Sequence, residues 1–280
     1  MANSQHLALL RQGLATWASW RRENLTIEPD LSGADLCGMQ LGGISFHRTN
    51  LSGADLSQAH LTDADLSDAN LGKANLQGAT LIRANLERAD LIVANLVGAN
   101  LTDAILANAN LIGSDLRKIN LSSADLFRAN LIGTNLHRAN LRGTDLSLAN
   151  LQRASLGQAM LCEANLNETD FREASLHEAE FIGSYLCKTD FREASAGGTH
   201  FNSAYLFGAN FRCANLHQAD FRWANLTKAS FDGAILSHVN LRGARLNRAV
   251  FRDADLSHAD LSEVDLSQTD VWGAKLPSPL

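Results

Sequence analysis

Carboxylates, amides and histidines recur along this chain at spacings that invite acid–base or metal chemistry. Residues 64–76 read ADLSDANLGKANL, with Asp65, Asn70 and Asn75 evenly spaced in it. Elsewhere such carboxylates act as general acids and bases, and histidines and cysteines add metal ligands. Here the spacing argues against both uses. At the 49 positions from 35 to 275 taken in steps of five there are 14 Asp and 17 Asn, so no single pair stands out. His137, His177 and His217 share one register but are widely separated, while His238 and His258 lie closer together. Cys37, Cys162, Cys187 and Cys213 are scattered without a CxxC, which fits neither a zinc site nor a disulfide framework. There is no Gly-rich phosphate loop, no HExxH and no Ser-His-Asp grouping. The sequence therefore predicts no catalytic, cofactor or metal site, and no enzyme.

The same recurrence explains what the residues build. From Leu31 to Leu276 every fifth position is apolar: of 50, 39 are Leu, nine are Phe, and the others are Val271 and Ala196. Two places before each, 35 of 49 residues are Ala. A period of five matches neither a strand nor an α-helix. A chain that turns a corner once per pentad keeps Leu and Ala inside and the other three residues outside. Four sides, each one pentad long, then close a coil, with coils stacked about 4.8 Å apart. His137, His177 and His217 would then be roughly 10 Å apart, too far to share a metal. The phenylalanines support four sides. Phe171, Phe191, Phe211, Phe231 and Phe251 fall in one column of period 20, and Phe181, Phe201 and Phe221 fall in the opposite column. Phe46 is the outlier. Ala196, followed by Gly197 and Gly198, either relieves crowding between the columns or marks a local bulge.

The A(D/N)LXX pattern resembles the pentapeptide-repeat proteins, over Leu31 to Leu276 without a slip in register. The resemblance implies an all-β solenoid, a right-handed quadrilateral β-helix of about 12 coils and roughly 60 Å. Residues 1–30 do not repeat. Asn3 or Ser4 can cap a helix on which Leu7, Leu10, Leu14 and Trp17 form a stripe, ending by Glu28-Pro29. We read 1–30 as a capping helix and linker over the open first coil, 31–276 as the β-helix and 277–280 as a tail. A partner-binding use of Trp20 is the alternative for the helix. Because the tail is too short to cap, a homodimer through the C-terminal coil is expected.

Composition sets the class of partner. Net charge is −6, which argues against direct nucleic-acid binding. No run of 18 apolar residues or signal-peptide pattern occurs, so no membrane role and a cytoplasmic location are expected. The first expectation is a non-enzymatic interaction or scaffold protein for an unknown protein partner. The alternative comes from the resemblance: some members mimic DNA and bind DNA gyrase, conferring quinolone resistance. B-DNA carries a charge every 1.7 Å or so, hence roughly 35 over such a length, far more than this chain's −6. The family is abundant in bacteria, especially cyanobacteria. The candidate surface is a run of apolar residues where water-facing ones belong. Ile92, Ile112 and Ile132 fall in one outer column, with Val93 beside Ile92. Such a run is either a β-branched ladder suited to a pleated surface or a docking strip.

Overall fold

The computed structural model describes residues 2–277, so all but the first residue of the expected tail lies outside it. The chain forms two compact units, Met1–Asn135 and Leu136–Leu280. Both are built in one way. In the first unit Asp30 bridges Asn50, Asp35 bridges Asp55, Gln40 bridges His60 and Ser45 bridges Asp65. In the second, Asn140 bridges Met160 and Asp145 bridges Asn165. Every bridge is parallel and joins a residue to its counterpart on the next coil, one bridge for each of the four sides. This is the right-handed quadrilateral β-helix.

The backbone N–H groups of one pentad show why the sequence takes this form. Leu51 N donates to Asn70 O of the next coil (2.7 Å), and Gly53 N to Gly72 O (2.9 Å). Ala54 N closes the corner on Leu51 O (3.0 Å), and Asp55 N reaches back to Ala34 O (2.9 Å). One donor, Ser52 N, is left over, and the Asn50 side-chain Oδ1 accepts it at 3.1 Å. The recurring Asp or Asn thus takes the one N–H that coil pairing leaves unmet. The corner places its third residue in the left-handed region, from Gly33 at φ +66° onward. A type II turn requires this, and glycine adopts it without penalty.

Leu and Ala are buried in the core, as the pattern requires. At several positions where Ser or Thr replaces Ala, the hydroxyl donates to a carbonyl of the preceding coil: Ser114 to Leu91 O at 2.6 Å, Thr169 to Leu146 O at 2.8 Å, Thr189 to Leu166 O at 2.7 Å. Thr49 is buried without such a partner. The same offset from Thr49 leads back to Thr26, which precedes the first coil.

The expected single helix is two. α1 spans Ser4–Arg11, with the Asn3 side chain capping Gln5 N and His6 N, and α2 spans Leu14–Glu23. The chain breaks between them at Gly13, φ +116°. The break splits the stripe: Leu10 and Trp17 are buried and Leu7 is half-buried, but Leu14 starts α2 and is exposed. The helices also end at Glu23, short of Glu28-Pro29. They occupy the edge that a preceding coil would pair. Trp17 Nε1 donates to Ser45 O (2.9 Å) and Arg21 Nη2 to His47 O (2.7 Å). Asn3 N donates to Asp30 O (2.9 Å), and His6 Nδ1 accepts from Asp30 N (3.0 Å). One coil later the equivalent carbonyls, Asp65 O and Ser67 O, take Phe46 N and Arg48 N. Phe46, the outlying phenylalanine, meets Trp17 edge-on at 5.7 Å. Trp20 lies against Trp17 and His6.

In the second unit the two phenylalanine columns are stacked ladders. Phe191, Phe211 and Phe231 lie nearly parallel at 4.7 and 5.0 Å. Phe201 and Phe221 stack at 4.7 Å, and Phe211 meets each of them edge-on at 5.7 and 5.6 Å. The bulge considered at Ala196 is absent: Ala196 N bonds Asn215 O and Gly198 N bonds His217 O in unbroken register. In the last coil Leu261, Val264, Leu266 and Val271 are only half-buried, and Asp265 makes no bridge.

Candidate interaction surface

The outer Asp and Asn residues form ladders rather than a catalytic pair. Asn75 Nδ2 donates to Asp55 Oδ1 at 3.0 Å, and Asn95 Nδ2 to Asn75 Oδ1 at 2.9 Å. An amide can donate to the carboxylate one coil away, so mixing Asn with Asp replaces like-charge repulsion by a hydrogen bond. Where Asp170 and Asp190 stack directly, arginine intervenes. Arg172 Nη2 lies 2.5 Å from Asp170 and its Nε 3.9 Å from Asp190, while Arg192 chelates Asp190 at 2.6 Å.

These Asp-Φ-Arg chelates are seen again in Asp115/Arg117 and Asp220/Arg222, and the sequence analysis did not anticipate them. The signal was present: an Arg two places after each Asp. The hydrogen bonds of Arg117 hold the Asp115 carboxyl below the ordinary range. At Asp170 burial pushes the pKa up, but the hydrogen bonds and charge of Arg172 outweigh it and the net shift is downward.

A carboxyl depressed in the folded chain stabilises it above the unfolded value of 3.8 and loses that as pH falls through the folded value. Urea midpoints should therefore fall between pH 4 and pH 2 and stay level from pH 5 to 7. An Asp170→Asn, Asp115→Asn double variant should show a shallower acid limb. An identical limb would mean these pairs contribute nothing.

His238 and His258 stack at 4.7 Å, and His217 meets His238 edge-on at 5.6 Å. His177 Nδ1 is bound instead to Gly197 O (2.9 Å). Among the described residues no three His, Cys, Asp or Glu side chains are placed to hold a metal.

The apolar strip lies in the first unit. Ile92, Ile112 and Ile132 are half-buried on successive coils, each core-flanked by a buried Leu. Ile92 N and Ile132 N are held by Asp90 and Asn130 side chains. Val93 is 55% exposed. It also occupies the left-handed corner position, at φ +57°, where it is the one β-branched residue among the described non-glycine residues with positive φ. A β-branched side chain is the type least suited to that region. Its counterparts in the next coils are Gly113 and Gly133, so the face beyond it is flat.

Two family models cover the coils. Eight copies of the model described as pentapeptide repeats match stretches from 30–68 to 154–192, and 234–273, and a pentapeptide repeat region model matches 174–251. This chain belongs to the pentapeptide repeat family. Among solved pentapeptide repeat proteins it is similar to HetL of Nostoc sp. Strain PCC 7120, involved in heterocyst differentiation regulation: 33% identity over 85% of this chain and 92% of HetL, TM-score 0.55. It also matches a pentapeptide repeat protein from the Arabidopsis thaliana thylakoid lumen (27% identity, 34% of this chain and 66% of that one, TM-score 0.33). A third match is full-length QnrB1, a plasmid-mediated fluoroquinolone resistance protein (18% identity, 87% and 93% coverage, TM-score 0.44). No curated protein matches.

Proposed function

We propose that this pentapeptide repeat protein is a non-catalytic binding protein that docks a protein partner on Ile92, Val93, Ile112 and Ile132. The supporting observation is Val93. A solvent-exposed valine at φ +57° is strained by about 1–2 kcal/mol, and its exposure means that core packing does not offset it. Strain held at an exposed position is a mark of functional sites. The neighbouring isoleucines and the flat Gly113 and Gly133 extend the same face. A regulatory role exerted by binding also fits the similarity to HetL, which is involved in regulating heterocyst differentiation. The DNA-mimic reading has less support, because chelating arginines beside Asp115, Asp170, Asp190 and Asp220 give the surface mixed charge.

Two variants test the strip. Ile112→Lys should keep the stability within about 1 kcal/mol of wild type and lose the partner in pull-down from the native cell. Val93→Gly should be more stable than wild type by up to about 1 kcal/mol and bind more weakly. Identical partner sets for wild type and both variants would reduce the strip to surface packing.

A further inference from the structure

A second surface of the first unit does not depend on the strip. α2 and the first coil enclose a groove of about 690 Å³, lined by Leu14, Trp17, Ala18, Arg21, Arg22 and Leu25. Its walls keep apolar side chains in water: Leu25 is 81% exposed and Leu14 38%. Its cations lack carboxylates. Coil arginines such as Arg83, Arg117 and Arg153 each hold an acidic partner. Among the described residues no carboxylate comes within 4.0 Å of Arg21 or Arg22. Arg21 donates to two carbonyls, Ile27 O and His47 O, and Arg22 Nε to Ala18 O. Those carbonyls orient the guanidinium groups without neutralising them. Asp65, the one acidic residue lining the groove, has its oxygens engaged by Ser45 and Ser67. Partial burial accordingly pushes the Arg21 pKa down, with attraction to Asp65 opposing.

Apolar walls beside uncompensated positive charge complement an apolar chain that ends in an anion. The volume lies within the range of single small-ligand sites, about 300–1,000 Å³, and is short for a partner helix of several turns. The geometry points to a binding site for a small amphipathic anion of the alkyl-carboxylate class between α2 and the first coil. The alkyl chain lies along Leu14, Ala18 and Leu25, and the carboxylate faces Arg22 with Arg21 behind it.

Titration calorimetry on the full chain with decanoate, and with 1-decanol as the uncharged match, tests this. Decanoate should bind saturably at one site, at least tenfold tighter than decanol. Arg22→Gln, at an exposed position, should bring decanoate down to the decanol level. Ala18→Phe, also exposed, should fill the groove and abolish binding of both, with an unchanged far-UV circular dichroism melt. Should Ala18→Phe fail to fold, Arg22→Gln decides alone. Absent saturable binding, equal affinity for decanoate and decanol, or an unchanged affinity in Arg22→Gln would each overturn the proposal. So would wild-type binding in a folded Ala18→Phe, which would place the ligand elsewhere. Binding of an acidic amphipathic peptide that decanoate does not displace would overturn it in favour of a protein ligand.

Discussion

Trp17→Ala should destabilise the first unit by about 3–5 kcal/mol, the range for truncating a large buried aromatic. Trp17 is 1% exposed, packs edge-on against Phe46 and donates to Ser45 O. Its loss opens a cavity and strips a partner from the strand edge of the first coil. An uncovered edge recruits other chains, so self-association by light scattering should accompany the lower melting midpoint. Trp17→Phe separates the two effects: it keeps most of the packing, loses the N–H, and should fall by about 1 kcal/mol. Arg21→Ala should move in the same direction by a similar small step, since it releases His47 O. A Trp17→Ala protein that melts like wild type and stays monomeric would show that the helices rest on the coil without closing it.

Phe211→Ala should be comparably severe in the second unit, again about 3–5 kcal/mol. Phe211 is fully buried, with Phe191 stacked on one side, Phe231 on the other, and Phe201 and Phe221 meeting its edges. Four aromatic contacts are lost together, each contributing about 0.5–1.5 kcal/mol beyond area. The neighbours cannot close the gap, because each is fixed by its own backbone ladder. Leu226→Ala, at a buried side position without a ring stack, should lose about 2–5 kcal/mol, toward the lower end. Chemical denaturation of the two variants compares them directly. Equal losses would mean that the ladders add nothing beyond buried volume.

The coil was legible because its cause is local. A pentad carries its own corner, its own inward Leu and Ala, and its own Asx side chain for the leftover N–H, so the repeat states the fold without long-range information. The phenylalanine columns were legible for the same reason once four pentads made a coil. The N-terminal helical segment was legible in place but not in form: Leu10 and Trp17 are buried, yet Gly13 at φ +116° breaks the helix and leaves Leu14 outside. A glycine inside a helical stripe is tolerated often enough that periodicity alone does not end the helix there. The apolar strip could be seen, but not the strain at Val93, because the left-handed corner is a property of the folded turn. The groove at α2 could not be seen either: helical spacing puts Leu14, Ala18, Arg21 and Arg22 on one face of α2, but only the docking of α2 on the first coil makes that face the wall of a groove.

The ladder that pairs each residue with its counterpart one coil away also governs how the protein yields to force. The backbone bridges of a residue of the second unit, such as Asn210, run to the coils directly before and after its own. A pull applied at the last coil therefore loads one row of bonds at a time, as with a zip rather than a knot. The half-buried coil holding Leu261 and Leu266, with Asp265 already unbridged, is the first to open. Each event frees one coil, about 65–70 Å of extended chain, while the next coil keeps its shape. Mechanically the coil array is a spool, and the tension needed to unwind it does not grow with the number of turns left.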